Sequence, residues 1–362
     1  MEIVALVVGA TGIAGRGASQ ELVDHGARVY GLSRKPDGLV QGVTHLAADL
    51  TNAESVKKAV ARLKPTHVYF ATWSRQASEE ENIKVNAGAV RTLLSAVAPT
   101  RSVIHVALVT GLKHYLGPFD AYVRAGTLPL MPVREEQPRL DIPNFYYAQE
   151  DEVYAASARD GFTWSVHRPH TIIGKAIGNA MNMGSTLAAY ASICKETGRK
   201  FKFPGSAAQW NGLSDMTDTR VLAKQLVWAS THDFAKNSAY NIVNGDIFRW
   251  NWMWPRIANW FGVEWEGFAG QVTPLEIQMA DDAMVWRHIV EKHGLVEPDL
   301  SRVASPWHTD LDLSRPIEVM TDMAASRKRG FTAFQNTEAA FHHLFAELRS
   351  DKVIPGPDTK HQ

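Results

Sequence analysis

The chain has 362 residues, 45% of them hydrophobic, and its 38 Lys plus Arg are balanced by 38 Asp plus Glu. A chain of this length buries a sizeable core and suggests roughly two domains or one large α/β unit. The charge parity excludes the basic excess that draws nucleic acid or an anionic membrane, so a small-molecule partner is favoured. Cys194 is the only cysteine, which excludes an internal disulfide framework and a cysteine-based metal site and reads as a buried thiol in a reducing compartment. The opening "MEIVALVVGATGIAG" has no basic segment before its apolar run and is cut by glycines; it is a poor signal peptide and too short to span a bilayer, and a cytoplasmic location is expected.

Short apolar runs then alternate with longer amphipathic stretches: "EIVALVVG", "GRGASQELVDHG", "ARVYGLS", "AESVKKAVARL", "THVYFATW", "NAGAVRTLLSAVA", "SVIHVALVTG", "NFYYAQEDEVYAASARD", "TWSVHRPHTII". Strand and helix in alternation predict an α/β, Rossmann-type, doubly wound parallel sheet with helices on both faces. Residues 1–174 and 217–246 are expected to form this nucleotide-binding domain. Residues 175–216 and 247–350 read as a smaller, mostly helical substrate-binding part, and 351–362 as a mobile tail without apolar periodicity.

In "VVGATGIAG", Gly9, Gly12 and Gly15 follow a buried strand and open a helix, with Thr11 and Ile13 in the same turn. That context turns a weak glycine pattern into a pyrophosphate site, the glycines allowing close backbone approach and the helix N-terminus stabilising the charge. A purely structural turn is the alternative. At the end of the second strand stand Ser33, Arg34 and Lys35, where an NAD enzyme would carry an acid. A guanidinium pairs with a 2′-phosphate through parallel hydrogen bonds, so the charges favour NADPH, with Asp37 nearby counting the other way. Asp49, next to Leu50, is placed either to accept from the adenine amine or to cap the following helix. Thr72 and Trp73 end the fourth strand on the adenosine ribose side, unless Trp73 is core.

"NFYYAQED" places Tyr146 and Tyr147 at the start of a helix. A short-chain reductase has lysine four residues after its tyrosine; here those positions hold Glu150 and Asp151, and none of the tyrosines has the lysine. Lys113, just past Thr110 at the end of the fifth strand, is the cation at the sheet edge where such folds keep their chemistry. From the residues alone the two tyrosines stand equal, and a packing role for the pair stays open; successive helical residues point about 100° apart, so only one can serve a given carbonyl.

"TGLKHYLGPF", "PNFYYAQED", "TWSVHRP" and "FATWS" resemble the progesterone 5β-reductase and iridoid synthase family, an atypical branch of the extended short-chain reductases. The resemblance runs from residue 3 to about 355 and includes "AYASICKETG", "NIVNGDIFRWNWMW", "VWRHIVEKHGL" and "ASRKRGFTAFQNTEAAF". It implies Lys113 as the catalytic cation and Tyr146 as the catalytic tyrosine, with Tyr147 a neighbour on the substrate side. It further implies NADPH-dependent 1,4-reduction of an apolar enone or enal, hydride going to the β-carbon and charge to the carbonyl oxygen. Pro169, Thr171 and Ile172 would hold the nicotinamide amide, and His170, where a smaller residue is expected, either contacts substrate or is a solvated loop histidine.

The stretch between Lys113 and Tyr146 lacks a period and reads as a lid or an ordered surface loop, with Phe119 and Leu128 to Met131 as candidate substrate contacts. Met181, Met183 and Trp210 are further substrate candidates, though the apolar helix after Met181 suits a core equally well. Trp250, Trp254 and Phe261 recur at helical spacing and argue for packing. His342 and His343 are adjacent and diverge, so no metal is assigned. The competing functions are a carbonyl reductase or sugar-nucleotide epimerase of the same superfamily, and a non-catalytic NADPH-binding sensor. A homodimer stays open.

Overall fold

The structure, a computed structural model, describes residues 2–117, 130–179 and 181–357. Among these residues, seven strands form one parallel sheet: β1 (Val4–Val8), β2 (Arg28–Ser33), β3 (Thr44–Ala47), β4 (His67–Phe70), β5 (His105–Val109), β6 (Thr163–Pro169) and, from much later in the chain, β10 (Ser238–Ile242). The order is β10-β6-β5-β4-β1-β2-β3. The central strands "VALVV" and "HVYF" are almost wholly buried, as expected of parallel strands covered on both faces.

The covering helices come from the intervening amphipathic stretches: α1 (Ile13–Asp24), α2 (Ala53–Val60), α3 (Glu79–Val97), a short α4 (Lys113–Leu116), α5 (Phe145–Asp160), α6 (Met183–Thr197), α7 (Ala207–Asn211), α8 (Thr219–Thr231) and α9 (Trp250–Phe261). Helices α2, α3 and α5 cover one face; α1 and α8 cover the other. The strand order reverses between β1 and β4, and the crevice that opens there at the carboxyl ends of the strands is the place where such sheets bind ligands.

The rest of the chain builds a second core around α6 and α9. Two small parallel pairs belong to this half and its junction: β7 (Ile172–Ile173) with β9 (Thr217–Asp218), and β8 (Phe201–Lys202) with β11 (Trp265–Glu266). Trp254 stacks on Phe201 at 4.1 Å between ring centroids and donates its indole N–H to the Phe201 carbonyl at 2.9 Å. Trp250, Trp254 and Phe261 are buried, and Pro255 lies inside α9. The tail begins later than the composition suggests: Val353 and Ile354 are buried in the second core beside Leu348. Among the described residues no helix is long and apolar enough to cross a membrane.

Candidate active site

The glycine turn lies where β1 meets α1. Gly9 has φ +81, and a Cβ added there would stand 2.5 Å from Thr72 Cβ, so the turn and the loop after β4 touch at a point where only glycine fits. Gly15 is pressed against the same turn, its virtual Cβ 2.1 Å from the Gly9 carbonyl oxygen; this close approach seats α1 against the sheet. Gly12 donates its N–H to Gly9 O at 3.0 Å. Thr11 and Gly12 are half-buried, whereas Ile13 is buried in the seam with α8, its carbonyl accepting from Thr219 Oγ1 at 2.8 Å. This cradle, with α1 beginning just beyond it, fits a pyrophosphate.

At the end of β2 the Ser33 hydroxyl donates to the Lys35 carbonyl at 2.7 Å, and Arg34, Lys35 and Asp37 are all exposed. Asp49 accepts from both the backbone N–H (2.9 Å) and the hydroxyl (2.8 Å) of Thr51. These bonds, the backbone one foremost, hold its carboxyl below the ordinary aspartate range. The capping alternative for Asp49 is overturned: Asn52 caps α2, its side chain accepting from Ser55 N–H at 3.0 Å. Leu50 packs on the sheet core beside it.

Beyond the turn, the loops after β4, β5 and β6 converge. Trp73 is half-buried, neither core nor free, and stacks on the Phe145 ring at 4.7 Å. Thr110 is buried and donates its N–H to the His167 carbonyl at 2.8 Å. The Tyr146 hydroxyl lies 3.3 Å from the position a Cβ on Gly111 would take, with the Pro169 carbonyl 3.4 Å from that same point. Tyr146, the β5 loop and the β6 loop therefore share one corner of the sheet edge.

Lys113 opens α4 in the same corner and is only 4% exposed. Its Nζ donates to Glu79 Oε2 at 2.8 Å and lies 4.2 Å from the Phe145 ring centroid, and Phe145 in turn meets the Tyr146 ring at 4.3 Å. Glu79 also accepts the Phe145 backbone N–H through Oε1 at 2.8 Å. Asn144 caps α5, accepting from Tyr146 N–H at 3.0 Å while its amide donates to the Lys113 carbonyl at 2.9 Å. An asparagine just before an apolar helical start is a readable cap; nothing in the run "SEEEN" distinguishes Glu79 from its neighbours.

The acid at the expected lysine position has its own partners. Glu150 is 1% exposed, with Arg139 Nη2 2.8 Å and Arg168 Nη2 3.3 Å from its carboxylate and His114 Nδ1 at 3.5 Å. Burial alone would raise its pKa, but His114 and the two guanidiniums outweigh it and hold the carboxyl at about 2. Arg168 carries this charge cluster on to the Tyr115 hydroxyl at 3.1 Å, and Tyr115 donates to Asn241 at 2.7 Å.

The remaining substrate and cofactor candidates have the following surroundings. Tyr147 is 7% exposed, and its hydroxyl is engaged on both sides, donating to the His114 carbonyl and accepting from Leu140 N–H at 3.0 Å, so that it braces the α4 turn. Met183 is 2% exposed in the second core. Trp210 packs between Phe203, at 4.8 Å, and Gly267, while Met181 is half-buried. His170 is neither solvated nor turned to a ligand: it is 6% exposed, its Nδ1 2.8 Å from Asp215 and its Nε2 2.7 Å from Arg315 Nη1. A guanidinium can only donate, so Nε2 accepts and Nδ1–H faces Asp215. The Thr171 hydroxyl donates to Asp312 at 2.6 Å, and Ile172 joins β7. This buried His170–Asp215–Arg315–Asp312 group, absent from the sequence reading, ties the β6 loop to the second half. Phe119 and Leu128 lie outside the described residues, and Leu130 is 85% exposed. A cavity of about 750 Å³ opens in the second half and includes Trp307, whose ring is covered at 3.9 Å by Arg75 from the loop after β4.

The sheet, the glycine turn and the convergent corner define a Rossmann-type, doubly wound α/β protein. Solved structures share this fold: a UDP-glucose 4-epimerase with TM-score 0.70 and 14% identity, covering 98% of this chain and 99% of that one, and a short-chain dehydrogenase/reductase superfamily protein from Agrobacterium tumefaciens with bound NAD, with TM-score 0.66 and 14% identity over 96% and 97%. A model of the PRISE-like Rossmann-fold domain matches residues 37–355. The chain belongs to that family. Its relatives include the (S)-8-oxocitronellyl enol synthase of Nepeta cataria and the 3-oxo-Delta(4,5)-steroid 5-beta-reductase of Arabidopsis thaliana, each 35% identical over 98% of this chain and 94% of the relative. The chain is thereby an oxidoreductase of the progesterone 5β-reductase and iridoid synthase type, as the motifs implied.

Proposed function

We propose that the chain catalyses NADPH-dependent 1,4-reduction of an apolar α,β-unsaturated carbonyl compound, with Tyr146 and Lys113 as its catalytic residues. The observation that carries the reading is the shared corner: Tyr146 beside Gly111 and Pro169, and Lys113 held two residues beyond Gly111. A substrate range of terpenoid or steroid enones is supported by the names of the two relatives, one of which specifies a 3-oxo-Δ4,5 steroid, itself an enone.

Gly9, Thr11, Gly12, Gly15 and the start of α1 would hold the pyrophosphate, and the exposed Arg34 and Lys35 the 2′-phosphate that distinguishes NADPH from NADH. When bound, the nicotinamide supplies the hydride for the β-carbon. Tyr146 donates a hydrogen bond to the substrate carbonyl oxygen as that oxygen gains charge, a contribution of about 2.7 to 4 kcal/mol for a positioned donor in a dry site. Lys113 stabilises the same charge and lowers the cost of polarising the tyrosine hydroxyl, which ordinarily titrates near ~10. The stacked rings of Trp73 and Phe145 would form an apolar wall beside this corner.

The reading is tested by NADPH oxidation against cyclic enones, linear enals and saturated ketones, with Tyr146→Phe and Lys113→Met in parallel. Enones and enals are expected to turn over and both variants to lose most of the rate. Turnover of saturated ketones alone would establish a carbonyl reductase, and tight NADPH binding without turnover a sensor. An epimerase is disfavoured by Glu150, which occupies the usual lysine position and is committed to Arg139 and Arg168.

A further inference from the structure

We propose that Glu79 is a positioning residue that joins the Lys113 cation and the start of the Tyr146 helix into one unit; this rests on the roles given above to Lys113 and Tyr146. Its two carboxylate oxygens divide between two segments. Oε2 accepts from Lys113 Nζ at 2.8 Å and from Asn82 at 3.2 Å, and Oε1 accepts from Phe145 N–H at 2.8 Å. Phe145 is the first residue of α5, and its N–H is one of the donors a helix start leaves without an internal partner. Glu79 thus caps α5 from α3 while neutralising the lysine that acts beside it.

The surroundings show why this matters. Lys113 is 4% exposed, and a carboxylate 2.8 Å from its ammonium offsets part of the field that the cation exerts on its neighbours. Among the described residues, the following ionisable groups near the corner have partners of their own. Glu150 and Tyr147 on α5, His114 on α4, Arg139 and Arg168 form one cluster, and His170 beyond β6 binds Asp215 and Arg315. Arg75, after β4, lies over Trp307. Among the described residues Glu79 is a carboxylate in direct contact with the Lys113 ammonium, and its charge moderates the pull of that ammonium on the Tyr146 hydroxyl.

Glu79→Gln tests this, because its amide oxygen can still accept from Phe145 N–H while the charge is gone. In this variant the alkaline limb of the kcat/KM profile is expected to move to lower pH by about one unit or more. The phenolate absorbance attributable to Tyr146, read without substrate as the difference from Tyr146→Phe, should move the same way. Glu79→Asp keeps the charge on a shorter arm; its limb should stay near the wild-type position while kcat falls. A uniform loss at every pH with unmoved titration, an unaltered Glu79→Gln enzyme, or a Glu79→Asp limb displaced like that of Glu79→Gln would overturn the proposal. Should the wild type reduce no enone, the functional reading would fall, and the substrate-free titration would still decide the role of Glu79.

Discussion

Replacing Glu150 separates its local chemistry from the role its sequence position suggests. Glu150 stands four residues after Tyr146, where short-chain reductases carry the lysine. Its carboxyl is held at about 2, against an ordinary value of about 4.3, which favours the ionised form by roughly 3 kcal/mol. Because the folded value is depressed, this stabilisation is present above about pH 4.3 and is lost as the pH falls towards 2. Glu150→Gln at pH 7 removes it and leaves Arg168 and Arg139 short of a buried counter-charge, for an expected loss of about 3 to 5 kcal/mol in urea unfolding. Glu150→Lys recreates the usual tyrosine and lysine spacing but adds a third cation to the cluster; it should be less stable than Glu150→Gln and gain no activity. A Glu150→Gln midpoint within about 0.5 kcal/mol of wild type would refute the reasoning, and so would a Glu150→Lys protein that is stable and active.

Three further outcomes are expected. His67 and His167 are buried neutral in the sheet with pKa values pushed down to about 4 by desolvation, and His105 between them is lowered in the same way. Below about pH 6.5 the unfolded chain takes up protons that the folded one refuses, so each of His67 and His167 should cost roughly 2 kcal/mol of stability between pH 7 and pH 5; equal urea midpoints at the two pH values would contradict this. Arg34→Glu should weaken NADPH binding at least tenfold by fluorescence titration while sparing NADH, because an acid repels the 2′-phosphate; equal weakening of both would remove Arg34 from that role. Gly15→Ala should abolish binding of either nucleotide, since the added methyl meets the Gly9 carbonyl; unaltered binding would show that α1 can shift.

What the sequence discloses here is local, and what it hides is tertiary. The strands β1 to β6 and the glycine turn follow from apolar runs and glycine spacing within a few residues. The apolar helix α6 left pocket and core undecided, because one period serves both; packing decides for core at Met183. Asp49 was open as the cap of the following helix, and the structure gives that role to Asn52, three residues on. Glu79 meets Lys113 across 34 residues and Arg315 meets His170 across 145, contacts that no local pattern encodes. The missing lysine partner of Tyr146 was legible only as an absence; the buried Arg168 and the more exposed Arg139 explain why an acid is stable in its place.

The central claim is that hydride reaches the β-carbon of an enone while Tyr146 holds the carbonyl oxygen. It is tested most directly by reducing an enone with NADPH deuterated at C4 and locating the label in the product by NMR. The account predicts deuterium at the β-carbon of a saturated carbonyl compound, with the yield collapsing in Tyr146→Phe. Deuterium on the carbonyl carbon of an allylic alcohol would contradict it.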